Sequence, residues 1–149
     1  MSKRFTDTYL LSLMAQASAA ISAEFHDWLA SEGVSVADWR ILASLYPDIG
    51  LTIGELCASC LTKQPTMTRM VDRLVAQELA IRSADRTDRR RVEVRLTPYG
   101  QGRAERLINE AKAHEARLLA GYKPEDAAAL KALLRIIKDR AAMPSVSAS

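Results

Sequence analysis

A mainly α fold carrying one small two-stranded β wing is what the sequence predicts, on three observations. Long stretches repeat apolar residues every three or four positions, the period of a helix face. Two short β-compatible runs, Leu79 to Ser83 and Val92 to Leu96, flank the arginine-rich segment Ala84 to Arg91 and read as a hairpin. Directly before them lie two helical segments separated by the polar break Thr62 to Gln64. The expected architecture is a winged helix-turn-helix with long N- and C-terminal helices, whose apolar faces exceed what one small winged domain can cover and so suit dimerisation.

The elements follow in order. From Phe5 to about Ala30 the residues Leu10, Leu13, Met14, Ala17, Ile21, Phe25, Trp28 and Leu29 mark one long first helix, ending near Gly33. Val36 to Tyr46 carries Trp39, Leu42, Ala43 and Tyr46, and Pro47 follows where a helix must stop. Thr52-Ile-Gly-Glu55 has the form of a capping box and opens a third helix with Ile53, Leu56, Cys57, Cys60 and Leu61 on its apolar face. A fourth helix starts near Pro65, where a missing amide hydrogen costs little, and shows Met67, Met70, Val71, Leu74 and Val75 on one side. After the wing, Thr97-Pro98 supplies an N-cap and first helical position for a helix over Gly102 to Ala120. Pro124-Glu125-Asp126 then opens a last helix through Ala142, acidic at its start and basic at its end. The chain reads as one domain over 1–149, with a DNA-binding part at 34–97, dimerisation helices at 5–32 and 98–142, and a disordered tail at 143–149.

Bulk properties narrow the function. The 149 residues, 48% hydrophobic and 26% charged, suit a single domain with a real core. The net charge is only +3, but its distribution is uneven. Lys63 to Arg95 holds nine Lys and Arg against five Asp and Glu, whereas the remainder holds twelve against thirteen. The basic excess therefore lies in the helix-turn-helix and wing. The absence of a long apolar run or a leader pattern predicts a cytoplasmic protein without membrane attachment. No glycine-rich phosphate loop, nucleophile elbow or metal-ligand cluster is present, so neither an enzyme nor a cofactor is expected.

Opposite the apolar stripe of the fourth helix lie Pro65, Arg69, Asp72 and Ala76, flanked by Thr66 and Arg73, and this face suits a DNA major groove. Arg69 or Arg73 can donate two hydrogen bonds to guanine, Thr66 can meet phosphate or a thymine methyl, and Thr68 can meet phosphate. Lys63 and Gln64 complete the start of this surface. Asp72 is expected to pair with Arg69 or Arg73 unless it accepts from a cytosine amine. In the wing, Arg86, Arg89, Arg90 and Arg91 surround Asp85 and Asp88, and a guanidinium at the tip fits a narrow, electronegative minor groove.

Trp39-Arg40-Ile41-Leu42, Leu56, Thr66-Met-Thr-Arg69-Met-Val-Asp-Arg-Leu74, Asp85-Arg-Thr-Asp88-Arg-Arg90 and Leu96-Thr97-x-x-Gly100 occur in order over nearly the whole chain. In these the chain resembles the MarR family of bacterial transcription regulators. The resemblance implies a homodimer with intertwined terminal helices, binding a pseudo-palindromic operator on double-stranded DNA as a repressor or activator. It singles out Arg90 in the wing, with Arg89 as the alternative, and gives Asp88 the role of orienting the arginine. It also implies a small-molecule effector, with an aromatic acid as the candidate class, held near Met14, Ser22, His26, Trp39 and Arg40, with Trp28 bordering the same space. Leu10 to Ala23 lacks the basic residue that several relatives place in the first helix, which shifts a carboxylate anchor to Arg40 or His26.

Two other readings use the same residues. Cys57 and Cys60 form a C-x-x-C that invites a thiol switch, but both fall on the apolar face of the third helix and read as small core residues. A winged helix binding DNA without sequence preference is the second alternative, distinguished by its behaviour on random DNA in salt.

Overall fold

The computed structural model describes residues 4–142, so the tail expected at 143–149 lies outside the described residues. Its contacts divide the chain within one helix into two compact units, residues 1–112 and 113–149.

The first unit opens with a 3-10 turn, Phe5–Asp7, before α1 (Leu10–Ser31). The expected continuous first helix is therefore interrupted. The Asp7 carboxylate accepts from the Arg4 amide at 3.2 Å and the Thr8 hydroxyl donates to the Phe5 carbonyl at 3.1 Å, local bonds that compete with the helical ladder. Tyr9, extended at φ −77° and ψ 120°, then restarts the chain as the N-cap. Ser35 caps α2 (Val36–Leu45) by accepting from the Asp38 amide.

The capping box ahead of α3 (Ile53–Cys60) is formed in both directions. The Thr52 hydroxyl accepts from the Glu55 amide at 3.3 Å, and the Glu55 carboxylate accepts from the Thr52 amide at 2.8 Å. Leu61 corrects the sequence reading: it ends α3 in the left-handed region at φ 53° and is 88% exposed, so it leaves the apolar face. A residue that turns the chain out of a helix no longer follows the helical period. Next comes α4 (Gln64–Ala76), with proline in its first turn and Met67, Met70, Val71 and Leu74 buried.

Strands β1 (Ala80–Ala84) and β2 (Val92–Leu96) pair antiparallel, from Ala80 opposite Leu96 to Ala84 opposite Val92. Leu51 adds one further rung through reciprocal backbone hydrogen bonds with Val94 at 3.1 and 2.8 Å. The hydrophobic core joins Leu29, Ile41, Leu42, Leu45, Leu56, Met67, Val71, Leu74, Val94, Ala104 and Leu107, so the helix-turn-helix, wing and start of α5 share one interior.

The Leu96-Thr97-Pro98-Tyr99-Gly100 segment has a clear physical basis. Thr97 Oγ1 accepts from the Gly100 amide at 2.9 Å and donates to the Glu78 carbonyl at 2.5 Å, and Pro98 begins α5 (Pro98–Leu119) at the expected first helical position. A Cβ on Gly100 would overlap the Leu79 carbonyl oxygen, so glycine lets α5 press against the chain entering β1.

In the second unit, α6 (Pro124–Ala142) has acidic residues in its first turn and Arg140 in its last, which complements the helix dipole. None of its residues is buried, and Leu130, Leu133, Leu134, Ile136 and Ile137 are exposed.

Candidate nucleic-acid interface

At the start of α4, Lys63, Gln64, Pro65, Thr66, Thr68 and Arg69 are all exposed. Lys63 is the N-cap but provides no side-chain cap, so the amides of the first turn and the positive end of the helix dipole are open to an anion. The Thr68 hydroxyl donates to the Gln64 carbonyl at 3.0 Å. Contact with a phosphate, which only accepts, would break that bond.

The two arginines of α4 have different surroundings. Among the described residues, Arg69 has neither an ion pair nor a side-chain hydrogen bond. Arg73 donates to Asp38 of α2 at 2.5 Å, and the Asp38 carboxylate is largely buried. Asp72 does not pair with Arg69 or Arg73 as expected; it accepts from Arg82 of β1 at 2.6 Å. Both pairings cross between elements, where helical spacing carries no information.

The wing loop is folded by its two aspartates. Asp85 Oδ1 accepts from the Thr87 amide at 2.7 Å, the Thr87 hydroxyl at 2.8 Å and the Asp88 amide at 3.3 Å. The Thr87 amide, followed by the Thr87 hydroxyl, holds the Asp85 carboxyl well below the usual carboxylate range. Asp88 Oδ1 accepts from the Arg90 amide at 3.0 Å, so it sets the backbone that presents Arg90.

The arginine-rich wing separates into internally paired and free side chains. Arg95 donates to Glu93 at 2.9 Å and to the Asp48 side chain at 3.2 Å. Arg86 lies 3.6 Å from Asp48 but remains 77% exposed. Arg91 donates to both carboxylate oxygens of Glu55 at 2.5 Å. Hydrogen bonds from the Thr52 amide and then Arg91 push the Glu55 carboxyl below its ordinary value. Arg89 and Arg90 are exposed and, among the described residues, have no side-chain partner.

Sequence reading misses the structural parts of Arg82, Arg91, Arg95 and Asp38. The partners that tie them to other elements lie 10 to 47 positions away, and no local pattern signals such pairs.

The effector candidates are less convergent. Trp39 is half-buried and meets Phe25 edge-on at 5.2 Å, as a core residue would. The Ser22 hydroxyl donates to the Ser18 carbonyl at 2.7 Å, Met14 and His26 are half-buried, and Arg40 is exposed. A cleft of about 540 Å³ lined by Gly33, Val34, Asp38, Leu42, Leu74, Gln77, Leu79, Tyr99 and Arg103 contains none of the five. A second, of about 550 Å³ between α1 and α5, contains Trp28 but none of the five.

Cys60 is buried, with its sulfur 3.9 Å from the Ser44 hydroxyl, whereas Cys57 is only half-buried. Burial pushes the Cys60 thiol up, away from the reactive thiolate. Among the described residues no group of three or more His, Cys, Asp or Glu can hold a metal, and no helix is long and apolar enough to cross a membrane.

Comparison with known proteins adds independent findings. A model of the MarR family matches residues 32–91. The HTH-type transcriptional repressor MdtR of Bacillus subtilis (strain 168) is 30% identical over 106 residues, covering 71% of this chain and 68% of that protein. The solved MarR family transcriptional regulator SPO1453 from Silicibacter pomeroyi DSS-3 is 42% identical with a TM-score of 0.82, over 92% of this chain and 98% of that one. BpsR of Bordetella bronchiseptica, described for regulation of its DNA binding by 6-hydroxynicotinic acid, has a TM-score of 0.76 over 93% of this chain and 99% of that one. At 24% identity, that likeness shows the fold alone.

Proposed function

The chain belongs to the MarR family of transcriptional regulators, which are not enzymes, and from that premise we propose a homodimeric repressor that reads a pseudo-palindromic operator in the cytoplasm. The observation that carries this reading is the division of the arginines. Arg73, Arg82, Arg86, Arg91 and Arg95 are paired with carboxylates, whereas Arg69 on α4 and Arg89 and Arg90 at the wing tip are exposed and unpaired among the described residues. Arg69 then serves the major groove, with Lys63, Gln64, Pro65 and Thr66 at its edge, while Arg90 or Arg89 serves the minor groove.

Pairing of two copies is supported by uncovered apolar residues in each unit. Phe5, Leu10, Leu11 and Leu13 are exposed in the first, and Leu130, Leu133 and Leu134 in the second. A second copy covering these residues and bringing another winged unit matches a two-fold operator. Repression follows the described role of the Bacillus relative. The effector reading, a small aromatic acid, draws support from BpsR, a protein of the same fold whose DNA binding is described as regulated by 6-hydroxynicotinic acid; its place near Trp39 and Arg40 is part of the proposal.

The test is selection of genomic fragments by the purified protein, repeated in moderate salt. Recovery of one palindromic sequence is expected. Recovery of random fragments would instead make the protein an architectural binder.

A further inference from the structure

We propose that Arg91 is a positioning residue for DNA binding: a guanidinium clamp that fixes the wing to the first turn of α3, holding Arg89 and Arg90 in register with Arg69. This inference rests on the DNA-binding reading above.

Arg91 Nη2 reaches both oxygens of Glu55, while its Nε lies 3.5 Å from Asp85 and 3.8 Å from Glu93. That Nε is buried, so this edge of the guanidinium faces the protein. Three carboxylates surround one cation, which leaves little free charge for a phosphate. Each partner is itself anchored. Thr52 holds Glu55 through its amide and hydroxyl, at 2.8 and 3.0 Å, and Asp85 organises the loop.

The Arg91 backbone also closes the loop, its carbonyl accepting from Asp85 at 2.8 Å and its amide donating to the Asp88 carbonyl at 2.9 Å. Arg95 ties the hairpin farther along β2, through Glu93 and Asp48, and does not touch the loop that carries Arg89 and Arg90. One guanidinium nitrogen held by both oxygens of a fixed carboxylate, with Nε of the same rigid plane facing two more carboxylates, constrains direction as well as distance. Without it, the wing would have to be ordered anew on every encounter with DNA.

Glu55→Gln gives an unusual signature. The introduced amide retains a carbonyl oxygen for the Thr52 N–H but loses the ion pair, and the substitution removes a negative charge. Simple electrostatics predicts tighter DNA binding from that loss. Positioning predicts the opposite: binding about tenfold weaker to a fluorescent duplex selected by the wild-type protein, the cost of re-fixing roughly one residue's backbone. Unchanged or tighter binding overturns the proposal.

Arg91→Lys keeps the charge but has no second nitrogen to face Asp85 and Glu93 while the first holds Glu55, and should weaken binding as Arg91→Ala does; wild-type affinity would overturn it. In an Arg89→Ala/Arg90→Ala background, Arg91→Ala should cost nothing further, and a full additional loss would make Arg91 a direct contact. Thermal melting checks folding, and should Glu55→Gln unfold, the two Arg91 tests decide. If the wild-type protein selects no duplex, the DNA-binding reading itself has failed.

Discussion

Arg69 and Arg73 lie one helical turn apart on α4, yet their substitutions should have different consequences. Arg69 is exposed and unpaired among the described residues, so Arg69→Ala should leave the melting temperature nearly unchanged. On DNA it should remove a two-hydrogen-bond contact to one guanine, about 1–3 kcal/mol of discrimination per half-site, or roughly 5- to 150-fold. Arg73→Ala releases Asp38, whose side chain is only 16% exposed while Arg73 is 49% exposed. An ion pair of this partly exposed kind is worth up to about 1 kcal/mol. For a chain of this size that corresponds to roughly 2–4 °C in melting temperature. Because the Arg73 guanidinium is held by α2, its loss should lower affinity without changing base preference. The assay is competition binding against operators varied one base pair at a time, with a melting curve for each variant. If Arg73→Ala erased preference at one position while Arg69→Ala did not, the Asp38 pair would not survive on DNA and the assignment would be reversed.

Other perturbations test the frame. Leu61→Gly should raise stability by about 0.5–1 kcal/mol: relief of left-handed strain, about 1–2 kcal/mol, outweighs the greater chain entropy of glycine, and little burial is lost. A lower melting temperature would contradict this. Gly100→Ala should destabilise by about 1–3 kcal/mol, since the new methyl group meets the Leu79 backbone rather than a movable side chain; a neutral result in chemical denaturation would remove the close approach. Asp85 and Glu55 both have depressed folded-state pKa values, so their stabilisation is present above the unfolded values, about 4, and is lost as pH falls through the folded ones. Asp85→Asn should therefore flatten the decline in melting temperature on acidification, and an unchanged slope would refute the link. Peroxide should not release the wild-type protein from DNA, because Cys60 is buried with its thiol pushed up; release abolished by Cys57→Ser with Cys60→Ser would establish a thiol switch.

Local physics makes much of the fold legible. The Thr52–Glu55 capping box, the buried stripe Met67, Met70, Val71 and Leu74, and both wing strands follow from neighbours a few residues apart. The apolar repeat misleads at Thr8 and Tyr9 because side-chain bonds to nearby backbone override it there. It misleads again at Leu61, where left-handed geometry takes the side chain off the face its spacing implies.

The arginines mark the division between sequence and tertiary structure. Composition and order determined that a basic helix and a basic hairpin stand side by side, and so pointed to a nucleic acid. Only tertiary structure decided that Arg73, Arg91 and Arg95 hold elements together while Arg69, Arg89 and Arg90 face solvent. Helix and strand periods arise from contacts within one element and are written in adjacent residues. An ion pair spanning 35 or 36 positions, as at Asp38–Arg73 and Glu55–Arg91, exists only once packing brings the elements together.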